Sequence, residues 1–450
     1  MPVSFRDSPT VLAALAAAVL AAFTLTDPPG GTWAVYTSER ELDRWLSAQP
    51  TGIAVGAVVA VAACVLLQRA GSARAAWGAA AVATVIVWAV RSWVPEVAGI
   101  DGLIALHVLK AVAAGVLLGA AVAAAWEHRL ARLAVALGAV GGFLSVSAWA
   151  SVETQRSTSS LGEPAVWLLA ATVVLALVAV AAPGPAPQPV TGEQARVALL
   201  TVVVVAVANR LLTAWISSGD TEGRTRQWIA IAVSIVVVLV ATEVCARLVD
   251  TRVGDGAILL AVTGIAAAAM PVLVDLRSPL RDFPAWSAVA VAGVAVAAGL
   301  AIAARRPLPL VGLGVAALVP VVGAIWPDFG SDGAWLLARL AVVGVGAGLA
   351  IGGTLSSLAA VAAAALVIPF VSTVFHAAAT VVMPAAQVIY NGAYEPLEGV
   401  EMSREYSNQL DEYLDSFLGI PIYDDRVAGI ALALAVVFCA WGVRGLRASR

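Results

Sequence analysis

Apolar runs of membrane-spanning length recur from one end of this chain to the other. A run of about 20 apolar residues matches the helix that crosses the hydrocarbon core of a bilayer. Apolar residues make up 61% of the 450 residues and charged residues 12%, against about 45–50% and about 25% in soluble domains. The period-2 pattern of a membrane β-barrel is absent. The chain is therefore predicted to be an all-α polytopic integral membrane protein.

About fourteen transmembrane helices are predicted, with boundaries soft by roughly 2–4 residues. They lie near residues 9–25, 51–67, 76–94, 102–125, 133–152, 164–182, 196–216, 227–247, 257–274, 287–304, 309–326, 335–351, 357–390 and 427–445. The first run has one basic residue before it and no small-residue cleavage motif after it, so it is predicted to be a retained span. The thirteenth run is too long for one crossing and holds Pro369 and Pro384, which predicts a broken helix.

A proline-rich stretch after the sixth span divides the chain into a 6 + 8 arrangement. Its composition is typical of a stiff, extended linker. The predicted organisation is a first membrane bundle of about six helices at residues 1–183, a linker at 184–195, and a second bundle of about eight helices at 196–450.

The last loop before the final span, at 391–426, is rich in acidic residues. Within it, apolar residues recur at helical spacing over 403–418, which predicts a short amphipathic helix in an extracytoplasmic loop. Anionic lipid would repel its acidic face, so the helix is expected to cap its own protein or to dock a protein partner.

The placement of arginine predicts the orientation of the chain. With the N-terminus inside, the inner loops and tails carry thirteen arginines and the outer loops nine. Positively charged residues are enriched in short cytoplasmic loops. Both termini are therefore predicted to be cytoplasmic, in a multi-pass protein of the plasma membrane.

Cations inside the predicted spans are the main candidates for a functional site. Lys110 is the only lysine of the chain, and it follows His107 by three residues inside the fourth span. Arg91, Arg210 and Arg339 also lie within spans, all in the predicted outer half. A charge in the hydrocarbon layer is costly and normally faces a bundle interior, although Arg91 and Arg339 are near enough to an interface to snorkel. Together the five residues predict a cationic cavity that binds an anionic substrate.

Glu243 and His376 are candidates for proton coupling. Glu243 is the only acid within a predicted span, and Arg247 lies four residues after it, so a local ion pair is the alternative. His376 lies between the prolines of the thirteenth run, where a packed histidine is the more common role.

Motifs for cofactor chemistry are lacking in the sequence, so neither a cofactor nor a metal is expected. P-loop, dinucleotide, nucleophile-elbow and His-Glu-x-x-His patterns are absent. Cys64, Cys245 and Cys439 fall inside apolar runs, which predicts packed thiols. No nucleic-acid partner is expected, because the longest basic inner run is the pair Arg305 and Arg306.

Six spans, a linker, eight further spans and a long outer loop before the last span resemble the fourteen-helix drug-efflux branch of the major facilitator superfamily. That family carries a Gly-x-x-x-Asp-Arg-x-Gly-Arg type of loop between spans two and three. Here the loop at 68–74 keeps an arginine and a glycine and lacks the aspartate. Fourteen spans with a cationic outer cavity are also similar to flippases of lipid-linked precursors.

Three functions remain open on the sequence. The leading hypothesis is a membrane transporter or lipid flippase for an anionic small molecule or lipid-linked substrate, working among membrane lipids and not driven by ATP through its own chain. A second is a non-catalytic subunit of a cell-envelope complex that docks through 391–426. A third is a polyprenyl-phosphate-dependent glycosyltransferase. Such enzymes resemble this chain in their acidic first outer loop, which implies Glu39, Glu41 or Asp43 as base or metal ligand.

Overall fold

The structure is a computed structural model. It describes residues 8–26, 39–94, 99–153, 161, 164–182, 184–216, 224–277, 283–327, 329–380 and 425–448. Within these residues every regular element is a helix.

Sixteen helices follow one another along the described parts of the chain. They are α1 Ser8–Thr26, α2 Glu39–Ala70, α3 Ala73–Trp93, α4 Ile100–Ala125, α5 Arg129–Glu153, α6 Val166–Ala181, α7 Gly192–Ile216, α8 Arg224–Val253, α9 Ala257–Asp275, α10 Ala285–Ala303, α11 Pro309–Ile325, α12 Gly333–Thr354, α13 Ala359–Leu366, α14 Ile368–Val371, α15 Thr373–Ala379 and α16 Asp425–Ala448.

The described helices supply fourteen membrane crossings. Twelve segments are long and apolar enough to span a bilayer, and α13 to α15 together make one of them. The two shorter apolar helices, α6 and α11, have 16 and 17 residues. At 1.5 Å per residue each is about 25 Å long, which covers most of the hydrocarbon core. The prediction of an all-α polytopic membrane protein with about fourteen transmembrane helices is confirmed.

The thirteenth span is broken, as its prolines predict. Its three short helices are separated at Val367 and Ser372, and Pro369 lies in the middle one. Pro384 lies outside the described residues, as do residues 391–424 of the acidic loop and its predicted amphipathic helix. α16 begins at the end of that loop, at Asp425.

Two local boundaries differ from the pattern of the sequence. The polar stretch 39–46, which the sequence places in the first outer loop, is part of the second span's helix, because α2 runs unbroken from Glu39 to Ala70 with Pro50 inside it. Good helix formers on the N-terminal side of Pro50 continue the helix past the lost hydrogen bond. In the linker, residues 184–191 are not helical, and α7 begins at Gly192.

The two ends of the helix bundle hold different polar contacts. At one end the short connections α2–α3, α4–α5, α8–α9, α10–α11 and α12–α13 come together, and we call it the Ser356 end. The opposite end carries Lys110 and is called the Lys110 end. Ser8 and Ala448, the first and last described residues, both lie at the Ser356 end, as an even number of crossings requires.

The pairs of helices that pack together recur with a shift of eight spans. α2 packs on α4 as α10 packs on α12, and α1 and α3 pack on α4 as α9 and α11 pack on α12. α1 and α3 contact α6 as α9 and α11 contact α16, the fourteenth span. A shift by an even number of spans keeps the direction of each helix, so these are parallel repeats about an axis normal to the membrane.

The chain is thus a first block, α1–α6, a second block, α9–α16, and an inserted pair, α7 and α8. The blocks meet where α5 packs on α10 and where the broken span packs on α2 and α4. α7 lies against α2 and the broken span, and α8 lies against α9 and α16. This division separates the predicted eight-helix bundle into a pair and a block.

Glycines make the closest pairings in both blocks. An ideal Cβ on Gly115 or Gly119 of α4 would come 2.2 Å and 2.1 Å from the carbonyl oxygens of Gly56 and Ala60 on α2. In the second block, a Cβ on Gly348 of α12 would come 2.3 Å from the Val296 oxygen of α10. Small residues let helix backbones approach closely where lipid gives no hydrophobic drive for association.

Candidate functional site

Lys110 lies in the interior of the first block at the Lys110 end. Its side chain is 3% exposed, and the ammonium group donates to the backbone carbonyl of Leu161, in the segment before α6. Leu161 itself belongs to a small buried apolar cluster with Trp45, Val90 and Leu103. The only lysine of the chain therefore fastens this segment to α4.

His107 lies one turn from Lys110 on the same helix and is 5% exposed. Its Nε2 is 3.3 Å from the Gln49 carbonyl oxygen, and the ring meets Trp45 edge-on with centroids 5.7 Å apart. A carbonyl only accepts, so the proton lies on Nε2 and Nδ1 is an acceptor. Nδ1 is buried and has no hydrogen-bond partner among the described residues. A Cβ at Gly52 would come 2.5 Å from Nε2, so the ring fits only against a glycine.

Arg91 and Arg210 join the same neighbourhood from α3 and α7. Arg91 donates to the Pro164 carbonyl at 2.6 Å, so α3 and α4 bind the carbonyls of Pro164 and Leu161 through cations. Arg210 donates to the Thr51 hydroxyl at 2.7 Å and to the Ser47 carbonyl at 3.1 Å. The inserted pair is thereby tied to the N-terminal part of α2, the part that also holds His107.

Arg339 lies in the second block, with a different set of partners. Its guanidinium donates to an Asp275 carboxylate oxygen at 2.7 Å and to the Gly330 carbonyl at 2.9 Å. It is two turns into α12, as His107 is two turns into the equivalent helix α4. The named hydrogen bonds of Arg339 do not join it to Lys110, Arg91 or Arg210.

The two candidates for proton coupling lie at opposite ends of the bundle. His376, on α15, has Nε2 3.3 Å from an Arg277 guanidinium nitrogen at the Lys110 end. Because arginine only donates, this nitrogen accepts and the imidazole is neutral. Glu243 lies in the inner third of α8, toward the Ser356 end, and its Oε1 accepts from the Arg247 guanidinium at 2.8 Å.

A polar contact between the two blocks at the Ser356 end was not anticipated from the sequence. The indole N–H of Trp126, after α4, donates to the Ser356 carbonyl, after α12, at 3.1 Å. These two connections correspond to each other in the repeat. Asp255 accepts from the Ser356 and Ser357 hydroxyls and from the Ser357 amide. The Arg132 guanidinium lies 6.0 Å from the Trp126 ring centroid, within reach of a cation–π interaction.

Metal ligation finds no support in the described part of the chain, where no group of three or more His, Cys, Asp or Glu residues is placed to hold an ion. The described polar chemistry consists instead of cations on carbonyls and hydroxyls, two ion pairs within the bundle and the contact between the blocks. Such groups can bind, release and orient a charged molecule or a proton.

Comparison with known proteins adds a structural likeness. No protein-family model and no curated protein matches the sequence. Among solved structures, the chain is similar to the xylose transporter XylE from E. coli in a partially occluded inward-open conformation. The TM-score is 0.44 and the identity 14%, over 97% of this chain and 98% of that chain. A likeness this low carries no argument about family or substrate.

Proposed function

We propose that this protein is a secondary transporter that moves its substrate between the two six-span blocks. The observation that carries the proposal is the repeat of helix pairings with a shift of eight spans. Parallel repeats about an axis normal to the membrane are an architecture of secondary transporters, whose substrate sites lie at the interface between the repeats. The sequence carries no ATP-binding motif, so the driving force is an ion gradient or the gradient of the substrate.

Alternating access requires that the blocks part at one end of the bundle while they close at the other. At the Ser356 end they are joined by the bond from Trp126 to Ser356 and by the Arg129 guanidinium, which donates to the Ala304 carbonyl at 3.3 Å. The first contact joins corresponding connections of the two repeats, and the second joins the start of α5 to the end of α10. They form a gate that closes the Ser356 end and breaks when the blocks rock.

The substrate is an anion, an organic acid or a lipid phosphate, bound at the Lys110 end. Lys110, Arg91 and Arg210 donate there to backbone carbonyls and a hydroxyl, and His107 stands beside Lys110. An anionic oxygen is a stronger acceptor than a carbonyl for these cations. A bound anion would therefore replace the carbonyls of the segment 161–164 and release it from α3 and α4. In the second block, Arg339 binds the anion after its ion pair with Asp275 is broken.

The test follows distances at the two ends of the bundle with pairs of spin labels. One pair is placed at Arg74 and Arg306, in the corresponding α2–α3 and α10–α11 connections of the Ser356 end, where both residues are exposed. The other is placed at Ser92 and Ser331, at the Lys110 end, where both are also exposed. In lipid bilayers, Trp126→Ala removes the bond between the blocks. The first distance should lengthen and the second shorten.

The control is Trp167→Ala, which removes an indole that is 66% exposed on α6. It should leave both distances as they are. If Trp126→Ala changes the two distances in the same direction, or changes neither, the blocks do not rock about a common site and the transport proposal fails.

A further inference from the structure

One carboxylate oxygen inside the bundle has no partner among the described residues. Glu243 is 8% exposed, and its Oε2 atom is buried without a hydrogen bond. The other oxygen, Oε1, accepts from Arg247. An ion pair on one oxygen leaves the second desolvated, and a buried polar atom without a partner costs free energy that the fold must supply elsewhere.

The space around Oε2 is bounded by α9 and α16 and fits a carboxyl group. A Cβ at Gly442 of α16 would come 2.5 Å from Oε2 and 2.7 Å from a Leu260 methyl of α9, so only a glycine leaves room there. Cys439, fully buried, lies one turn before Gly442 on α16. Apolar walls and a thiol offer a carboxylate none of the strong donors that stabilise its charge.

Several charged residues on the helices that pack against α8 have partners elsewhere, and Arg196 of α7 and Arg426 and Arg444 of α16 are exposed. Glu193 of α7 pairs with Arg252, Arg210 of α7 binds α2, and His376 of α15 meets Arg277. Asp275 of α9 pairs with Arg339, and Arg447 of α16 donates to the Gly353 carbonyl. Arg247 of α8 is the charged residue that is hydrogen-bonded to Glu243 among the described residues.

We propose that Glu243 is a proton-binding site, occupied at Oε2, that couples proton movement to the transport proposed above. A hydronium ion at the Ser356 end gives its proton to Oε2, an O–H bond forms, and water is released. The neutral acid is cheaper than the anion to keep in an apolar nook. Arg247 keeps its charge, and its side chain, 63% exposed, reaches the water phase without the carboxylate.

Glu243 lies where the inserted pair meets the second block, so a proton bound there acts on helices that move relative to one another. α8 belongs to the inserted pair, whereas α9 and α16 belong to the second block. Oε2 faces Gly442 of α16, so the charged form presents an anionic oxygen and the neutral form an O–H group to the second block. Protonation therefore changes the contact between the inserted pair and the second block, which is what proton coupling requires.

The experiment is an infrared titration of the full-length purified protein in lipid bilayers, between about pH 4 and about pH 9. The carbonyl-stretch band of a protonated carboxyl should grow as the pH falls. The wild-type spectrum minus that of Glu243→Gln should contain one such band. The matched control is Glu193→Gln, at an exposed carboxylate that also pairs with an arginine. Its buried-carboxyl band should equal that of the wild type.

A second variant keeps the proposal testable if Glu243→Gln does not fold. Gly442→Ala places a methyl group against Oε2, and should move the midpoint of the band by about one pH unit or more, a tenfold change in proton affinity. A band that survives Glu243→Gln, or a midpoint unmoved by Gly442→Ala, overturns the proposal. The titration uses no transported substrate. Such a result therefore refutes the proton site alone, and the spin-label distances still test the transport proposal.

Discussion

At the scale of single residues, cations at the Lys110 end donate hydrogen bonds to backbone carbonyls that lie outside the helices. Leu161 and Pro164 precede α6, and Lys110 and Arg91 reach them from α4 and α3. Each bond satisfies a charge that lipid would penalise and a backbone carbonyl that lies outside the helices. The sequence located these residues inside spans, which a count of apolar residues suffices to do. Their partners lie 51 and 73 positions away along the chain, a separation that no local pattern encodes.

Lys110→Met keeps the length of the side chain and removes its charge. The Leu161 carbonyl loses a donor, which should lower the free energy of unfolding by about 1–3 kcal/mol and leave a folded protein. Dodecyl phosphate and succinate serve as lipid-phosphate and organic-acid probes in thermal-shift titrations. At least one should raise the melting temperature of the wild type, and that shift should disappear in the variant.

The matched control is Arg305→Met, which removes an exposed charge at the Ser356 end. It should retain the thermal shift of the wild type. Retention of the shift by Lys110→Met would contradict an anion site at this residue, and the probe that is bound distinguishes a lipid phosphate from an organic acid.

At the scale of helices, close approach in the two blocks depends on glycines in corresponding places. α4 meets α2 through Gly115 and Gly119, and α12 meets α10 through Gly344 and Gly348. The break in the thirteenth span follows from Pro369 and was predictable, because proline acts on its own helix. Which glycines face a neighbour was not predictable, since glycines on lipid-facing positions, such as Gly314, look the same in the sequence.

Gly119→Ala should destabilise the first block, because its Cβ would come 2.1 Å from the Ala60 carbonyl oxygen. Overpacking of this kind costs about 1–3 kcal/mol, which a lowered melting temperature in detergent would report. Gly314→Ala, where a Cβ meets nothing within 4 Å, is the control and should not lower it. Equal melting temperatures for the two variants would contradict the close packing of α2 on α4.

At the scale of the whole molecule, the two blocks and the inserted pair define the ends of the protein, and the excess of arginine predicts which end is cytoplasmic. Arg69, Arg74, Arg129, Arg305 and Arg306 all lie at the Ser356 end, in or beside its short connections. Short loops rich in arginine remain on the cytoplasmic side. Both described termini lie at the Ser356 end, so the same prediction makes this end and both termini cytoplasmic.

Single cysteines at Ser157, Ser407 and Ser72 test this orientation. With an impermeant thiol reagent on intact cells, Ser157→Cys and Ser407→Cys should label, and Ser72→Cys should label only after the membrane is opened. Labelling of the native cysteines should be low, because Cys64, Cys245 and Cys439 are buried. Labelling of Ser72→Cys alone in intact cells would reverse the orientation.

The sequence by itself determined the membrane class, the fourteen crossings and the broken thirteenth span, because bilayer thickness, backbone satisfaction and proline all act over a single segment. It also determined which residues carry charge inside the spans. Only the tertiary structure decided that six of the eight later spans repeat the first six, and that Trp126 reaches a carbonyl 230 residues away. Lipid-facing and helix-facing surfaces are equally apolar, so the choice of neighbours depends on the fit of small side chains and on pairs of polar groups that meet only in the folded bundle.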